Sequence, residues 1–131
     1  MLVAEIDRPS IEKLVRTFYA KVLEDHLVGP YFIRTLGDDF SSFKWYEHFS
    51  LLDNFWLGMI LEEGQYRGDP FMPHVFLGEI PKEAFDRWLA LFRETLEEIY
   101  TPTNVLKFYG KAKGISKRFM TDLEIYHEDE D

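Results

Sequence analysis

Four histidines, His26, His48, His74 and His127, are the side chains of this 131-residue chain best suited to hold a metal, because it contains no cysteine. The lack of thiols excludes disulfide frameworks, thiolate zinc or iron–sulfur sites and cysteine nucleophiles, leaving imidazole, phenol and carboxylate as ligands. A neutral imidazole gives one ring lone pair to a metal while its other N–H bonds a carbonyl. Tyrosine and tryptophan add O–H and N–H donors carried on apolar rings. Other reactive patterns fail on inspection. The Glu-x-x-His motif of di-iron bundles needs a copy on each of two facing helices, and only Glu124-Ile125-Tyr126-His127 occurs. Arg67-Gly68-Asp69 matches an adhesion tripeptide by coincidence. A phosphate-cradling glycine loop, a Ser-His-Asp set and a nucleophile elbow are absent.

The elements that must position these residues are helical. From Ser10, apolar residues fall at Ile11, Leu14, Val15, Phe18 and Val22, one helical stripe with Tyr19 beside it and Pro9 in a first turn. This helix is expected to end near His26, before Gly29-Pro30, since a residue preceding proline is pushed out of the helical region. Residues 29–42 then form a compact connection with short helical turns. A second stripe runs His48, Leu51, Leu52, Phe55, Trp56 and Met59, with Gly64 as its stop. The glycine- and proline-rich loop 65–73 delivers the chain to a short helical segment, residues 73–77, closed by Gly78; long loops of this kind are more often functional than idle. Pro81 and Pro102 each fit the first position of a helix. Their stripes are Phe85, Trp88, Leu89, Phe92, Leu96 and Ile99, then Val105, Phe108, Tyr109, Ala112, Ile115, Phe119 and Leu123. Gly110 and Gly114 inside the last helix each cost about 1 kcal/mol against alanine, which a close approach of a helix or a ligand would justify. The result is one all-α domain over residues 1–131, four main helices and one short one, with residues 1–9 and 127–131 expected to fray.

Three polar-tipped residues, Tyr19, His48 and Trp88, thus occupy the apolar faces of three different helices, opposite His74 on the short one. Each has a bland reading, as a core ring with one partner or a helix-end histidine, and His74 is equally readable as an ordinary histidine near a loop. Taken together they resemble a pocket. The chain has 12 Phe, 7 Tyr and 3 Trp, 17% aromatic, which suits either a bulky core or a core closed around a flat aromatic ligand. A histidine facing such a cage is chemically fit to hold haem iron.

At this point the residues resemble a known family. Phe18-Tyr19, Gly29-Pro30-Tyr31-Phe32, Trp45-Tyr46-Glu47-His48 through Asn54-Phe55-Trp56, Tyr66-x-Gly68-x-Pro70-x-x-x-His74 and Phe85-x-x-Trp88-Leu89-x-Leu91-Phe92 are similar to the truncated haemoglobins of group III. The match spans residues of about 10–120 and is more specific in combination than in any part. The lack of Gly-Gly pairs, which other truncated groups carry at helix junctions, points the same way.

The resemblance implies a globin-like two-over-two helical sandwich around haem b, with His74 as proximal iron ligand. Tyr19 and Trp88 become distal hydrogen-bond donors, and His48 takes the distal position that acts as a gate in this group. Phe32, Leu52, Phe55 and Trp56 would touch or back the porphyrin, with Phe71, Leu77, Phe85, Phe92, Ile115 and Phe119 as further wall candidates. Arg67, Lys44 and Tyr66 are candidate propionate partners. The implied ligands are dioxygen, nitric oxide, carbon monoxide or cyanide. Dioxygen on ferrous iron gains negative charge, so each donor stabilises it by roughly 1.5–3 kcal/mol. A protein holding oxygen so firmly suits chemistry with nitric oxide or peroxide better than bulk delivery.

Two rivals remain. In one, His48 and His74 both ligate iron and the protein carries electrons. In the other, the domain is a haem-based or haem-free sensory or interaction module, with the aromatic core serving packing alone. The net charge of −9 gives no footprint for nucleic acid or an anionic membrane surface. No apolar run approaches the roughly 18 residues of a membrane span, and the N-terminus lacks a secretory signal. The expectation is a cytoplasmic protein, monomeric or weakly dimeric, served by a reductase.

Overall fold

The computed structural model describes residues 2–61 and 81–122, with side chains for residues 2–60 and 81–115. The elements assigned to residues 73–77, including His74, lie outside the described residues. Among the described residues five helices are present: α1 (Arg8–Glu24), α2 (Gly29–Leu36), α3 (Phe43–Leu61), α4 (Lys82–Ile99) and α5 (Pro102–Asp122). Helix α1 packs on α3 and on α4, α4 packs along α5, and α2 closes the end of α1. The pairs α1–α3 and α4–α5 therefore face each other as two layers around one core.

Helix α1 starts three residues before the first member of its apolar stripe, Ile11. Asp7 caps it, accepting from the Ser10 amide at 3.0 Å, while the Ser10 hydroxyl oxygen accepts from the Asp7 amide at 3.1 Å. This reciprocal pair satisfies two helix-end donors at once. Its buried face, Ile11, Leu14, Val15, Phe18, Tyr19 and Val22, matches the stripe read from the sequence. The segment ahead of it is pinned, where fraying was expected. The Val3 amide donates to the Ile99 carbonyl at 2.8 Å and the Thr101 amide to the Val3 carbonyl at 3.1 Å, forming a one-residue bridge to Tyr100.

Residues 29–36 form a full two-turn helix where the sequence suggested short turns, and Gly29 is helical although proline follows. Two facts explain it. Glycine lacks the Cβ through which proline crowds its predecessor, and Pro30 sits in the first turn, where its missing N–H costs nothing. Gly29 is also required by packing, because a Cβ there would lie 2.8 Å from the carbonyl oxygens of both Val22 and Leu23. The helix stops at Gly37, whose φ of +81° favours glycine.

Helix α3 buries a face rotated from the expected stripe. Trp45, Phe49, Leu52, Phe55, Trp56, Leu57 and Ile60 are buried, whereas His48, Leu51 and Met59 are half-buried. Trp45 is wholly enclosed and its indole N–H donates to the Gly37 carbonyl at 2.8 Å, locking α3 to the end of α2. Pro81 proves to be the cap of α4 rather than its first helical residue, while Pro102 does open α5. Gly110 and Gly114 are exposed, and a Cβ at either meets no atom within 4 Å. Among the described residues no neighbouring helix explains them.

Candidate functional site

Tyr19 lies on the buried face of α1, where Phe18, Leu14 and Val22 anchor that face in the core. Around its ring stand Phe32 of α2 at 5.4 Å between centroids, Trp45 and His48 of α3 at 5.6 and 5.2 Å, and Phe49 at 6.3 Å. The His48 imidazole meets Trp45 edge to face at 5.4 Å, and its Nε2 is shut away from solvent although the residue as a whole is half-buried. Burial raises the Tyr19 phenol far above its ordinary value, and the indole N–H of Trp88, facing the phenol oxygen, pulls the other way. The phenol is therefore a protonated O–H, able to donate, at any physiological pH.

Trp88 is half-buried on α4, edge-on to Phe18 at 5.3 Å and stacked on Phe92 at 5.6 Å and 12°. Phe92 in turn stacks on Trp56 at 5.3 Å and 22°, so Trp88, Phe92 and Trp56 form one column of rings between the two layers. Phe55 packs edge-on to Trp56 at 5.2 Å. Three helices thus bring Tyr19, His48 and Trp88 to one place, through the contiguous pair Phe18–Tyr19 at 4.9 Å.

The remaining candidates fall in several settings. Phe32, Leu52, Phe55, Trp56, Phe85 and Phe92 are buried in the same core, and Ile115 is half-buried against it. Lys44 is exposed on the first turn of α3. His74, Leu77, Phe71, Arg67 and Tyr66 lie outside the described residues, as does the side chain of Phe119. Among the described residues no group of three or more His, Asp or Glu is placed to hold a metal ion. An iron porphyrin asks for less, one or two protein ligands within an apolar cage that offers a few donors, and the ring cage with a phenol, an imidazole and an indole fits the apolar and donor parts of that requirement.

Sequence reasoning missed several residues that hold this cage. Trp45 and Phe49 contact the Tyr19 ring but lie off the stripe chosen for α3. Arg16 reaches from α1 to the buried Asp53 of α3 at 3.0 Å and lies 4.8 Å over the Phe49 ring. Burial raises the Asp53 carboxyl above its usual range, against the pull of Arg16. Asp25, buried after α1, binds Arg87 of α4 at 2.6 Å. Asp53 beside Leu51, Leu52 and Phe55 offered a signal, whereas Asp25 stands between Glu24 and His26 and its partner is 62 residues away.

No protein-family model matches the chain. It is 38% identical over 121 residues to a group 3 truncated haemoglobin of Campylobacter jejuni, covering 92% of this chain and 94% of that protein. The crystal structure of a group III truncated haemoglobin from Campylobacter jejuni superposes with a TM-score of 0.84 at 37% identity, over 94% of this chain and 95% of the other. Helices without an intervening sheet among the described residues, an identity well above what chance allows and nearly complete mutual coverage converge on one answer: this chain is a group III truncated haemoglobin, and so a haem-binding globin.

Proposed function

We propose that the chain binds haem b with His74 as proximal iron ligand, and that it takes dioxygen and other diatomic ligands on the side of Tyr19, His48 and Trp88. The observation that carries the reading is the convergence of these three polar-tipped rings from α1, α3 and α4. Haem supplies an iron that accepts a diatomic ligand and exchanges an electron with it; everything else falls to the chain. The Tyr19 phenol stays protonated through burial, and the Trp88 indole is a donor at every pH. Each steadies a polarised ligand by roughly 1.5–3 kcal/mol, slowing its escape by about one to two decades per donor. His48, half-buried with its Nε2 turned inward, gates access by rotating between an inward and an outward position. Phe32, Leu52, Phe55, Trp56, Phe85, Phe92, Leu77 and Ile115 exclude water from the porphyrin faces.

Retention of this strength favours chemistry on the bound ligand, with nitric oxide or peroxide as co-reactant, over bulk delivery. It also calls for a reductase in the cytoplasm. The test is the visible spectrum of the haem-supplied protein in ferric, reduced and carbon-monoxide-treated forms. A strong Soret band and ready carbon monoxide uptake are expected. A six-coordinate low-spin reduced form that resists carbon monoxide would instead assign both His48 and His74 to iron, and the absence of a Soret band would end the proposal.

A further inference from the structure

Asp25 terminates α1, and its side chain is only 4% exposed. Its two carboxylate oxygens do different work. Oδ1 accepts from the Leu27 amide at 2.9 Å and the Val28 amide at 3.0 Å, while Oδ2 accepts from Arg87 Nε–H at 2.6 Å. The Asp25 carbonyl also accepts from the Gly29 amide at 2.8 Å. One residue therefore fastens the end of α1, the first turn of α2 and the outer face of α4.

Those are the elements that carry Tyr19, Phe32 and Trp88. Arg87 immediately precedes Trp88, about 100° away around the helix axis, so whatever fixes the direction of Arg87 fixes the rotation of α4 and the aim of the indole. The ring contacts of Trp88 among the described residues do not fix it. Stacking on Phe92 and edge contact with Phe18 have shallow, broad optima, whereas a charge-assisted hydrogen bond is short and directional. Fastening alone would not call for this pair, since a well-packed apolar contact holds two helices as well as an ion pair with one buried partner does.

We propose that the Asp25–Arg87 pair is a positioning device for the distal donors, setting the axial rotation of α4 so that the Trp88 indole N–H faces the Tyr19 oxygen. The inference rests on the reading of Tyr19 and Trp88 as ligand donors. The pair is permanently charged near neutrality. Burial alone would raise the Asp25 carboxyl, but the Arg87 guanidinium and the Val28 and Leu27 amides outweigh it and hold the group below the usual carboxylate range.

Asp25→Asn separates the two jobs of the carboxylate, keeping an Oδ1 acceptor for the Leu27 and Val28 amides and replacing Oδ2 by an NH2 that cannot accept from Arg87. Arg87→Met breaks the same bond from a half-exposed side chain, and Arg87→Lys restores a charged donor. The experiment compares these variants with Trp88→Phe as reduced, carbon-monoxide-treated holoproteins. Its readouts are the carbon monoxide stretching frequency, the oxygen release rate and the melting temperature. Asp25→Asn and Arg87→Met are expected to move the stretch in the direction that Trp88→Phe moves it and to speed release roughly three- to tenfold, with Arg87→Lys recovering much of both. A lower melting temperature with wild-type stretch and release, beside a Trp88→Phe that shifts both, would reduce the pair to a structural fastening and overturn the proposal. Should Trp88→Phe itself change neither, the donor reading fails instead. The positioning claim then stands or falls on the Trp88 indole N–H proton resonance, which must shift in Asp25→Asn and Arg87→Met.

Discussion

The Tyr19 phenol and the His48 imidazole meet edge to face, with centroids 5.2 Å apart and planes at 83°, and Trp45 and Phe32 press on both rings. Because the ring of Tyr19 is held by Phe18, Phe32, Trp45, His48 and Phe49, Tyr19→Phe removes one O–H and leaves the packing in place. Oxygen release from the reduced protein should then accelerate roughly ten- to a hundredfold, the equivalent of one charge-assisted hydrogen bond. Stopped-flow displacement of oxygen measures it, and unchanged rates in both Tyr19→Phe and Trp88→Phe would remove the donors from the mechanism.

His74→Ala tests the proximal assignment. With no replacement ligand the variant should be purified largely without haem, or lose it on gel filtration, while the circular dichroism of the helices survives. A variant that stays fully loaded with wild-type spectra would assign the iron to another side chain.

Two glycine-to-alanine exchanges should have opposite signs. At Gly29 the new Cβ would sit 2.8 Å from two backbone carbonyl oxygens of α1, and backbone cannot step aside cheaply, so Gly29→Ala should destabilise by about 1–3 kcal/mol. Among the described residues Gly110 is exposed, helical and clear of neighbours within 4 Å. Gly110→Ala should therefore stabilise by about 0.5–1 kcal/mol through helix propensity. Urea unfolding of the two variants beside the parent decides both, and a loss at Gly110 would mean that this face of α5 is covered in the loaded protein.

Alkaline stability should follow the buried phenols. Tyr100 is wholly enclosed and donates its O–H to Ser10 Oγ at 2.7 Å. Burial pushes its phenol up to about 12, with the Ser10 bond opposing and the Asp7 charge adding to the rise. A tyrosine in the unfolded chain ionises near 10. Between about pH 10 and 12 the unfolded state thus binds fewer protons than the folded one, and stability falls as pH rises. The contribution is complete below about pH 10 and lost as pH passes about 12, with Tyr19 acting in the same direction. The urea midpoint should be flat to about pH 10 and then drop. Tyr100→Phe should make that drop shallower while lowering the neutral-pH stability by about 0.5–1.5 kcal/mol. An unaltered slope would locate the alkaline transition elsewhere.

Much of this protein is legible in its sequence where local physics is decisive. The apolar stripe of α1 names its buried face residue by residue, because the opposite face is polar and only one rotation buries the apolar side. Pro102 marks the first residue of α5 because proline fits where the first-turn N–H has no partner. The assignment of Tyr19, His48 and Trp88 to inward faces of three helices follows from the same periodicity.

What tertiary structure alone decides begins where local signals become degenerate. Helix α3 is apolar on most sides, so several rotations bury comparable area, and contact with α1 and α2 selects Trp45 and Phe49 over Leu51 and Met59. The Gly29-Pro30 step reads as a helix break from the chain alone. It becomes the first turn of α2 because Gly29 permits an approach to α1 that no side chain would allow. The ion pairs Arg16–Asp53 and Arg87–Asp25 join residues 37 and 62 positions apart. Sequence patterning determines which side of each helix is apolar, since that depends on neighbours one turn away. Which buried acid meets which base, and in what direction an indole points, depends on how whole helices are rotated against one another, and only packing sets that.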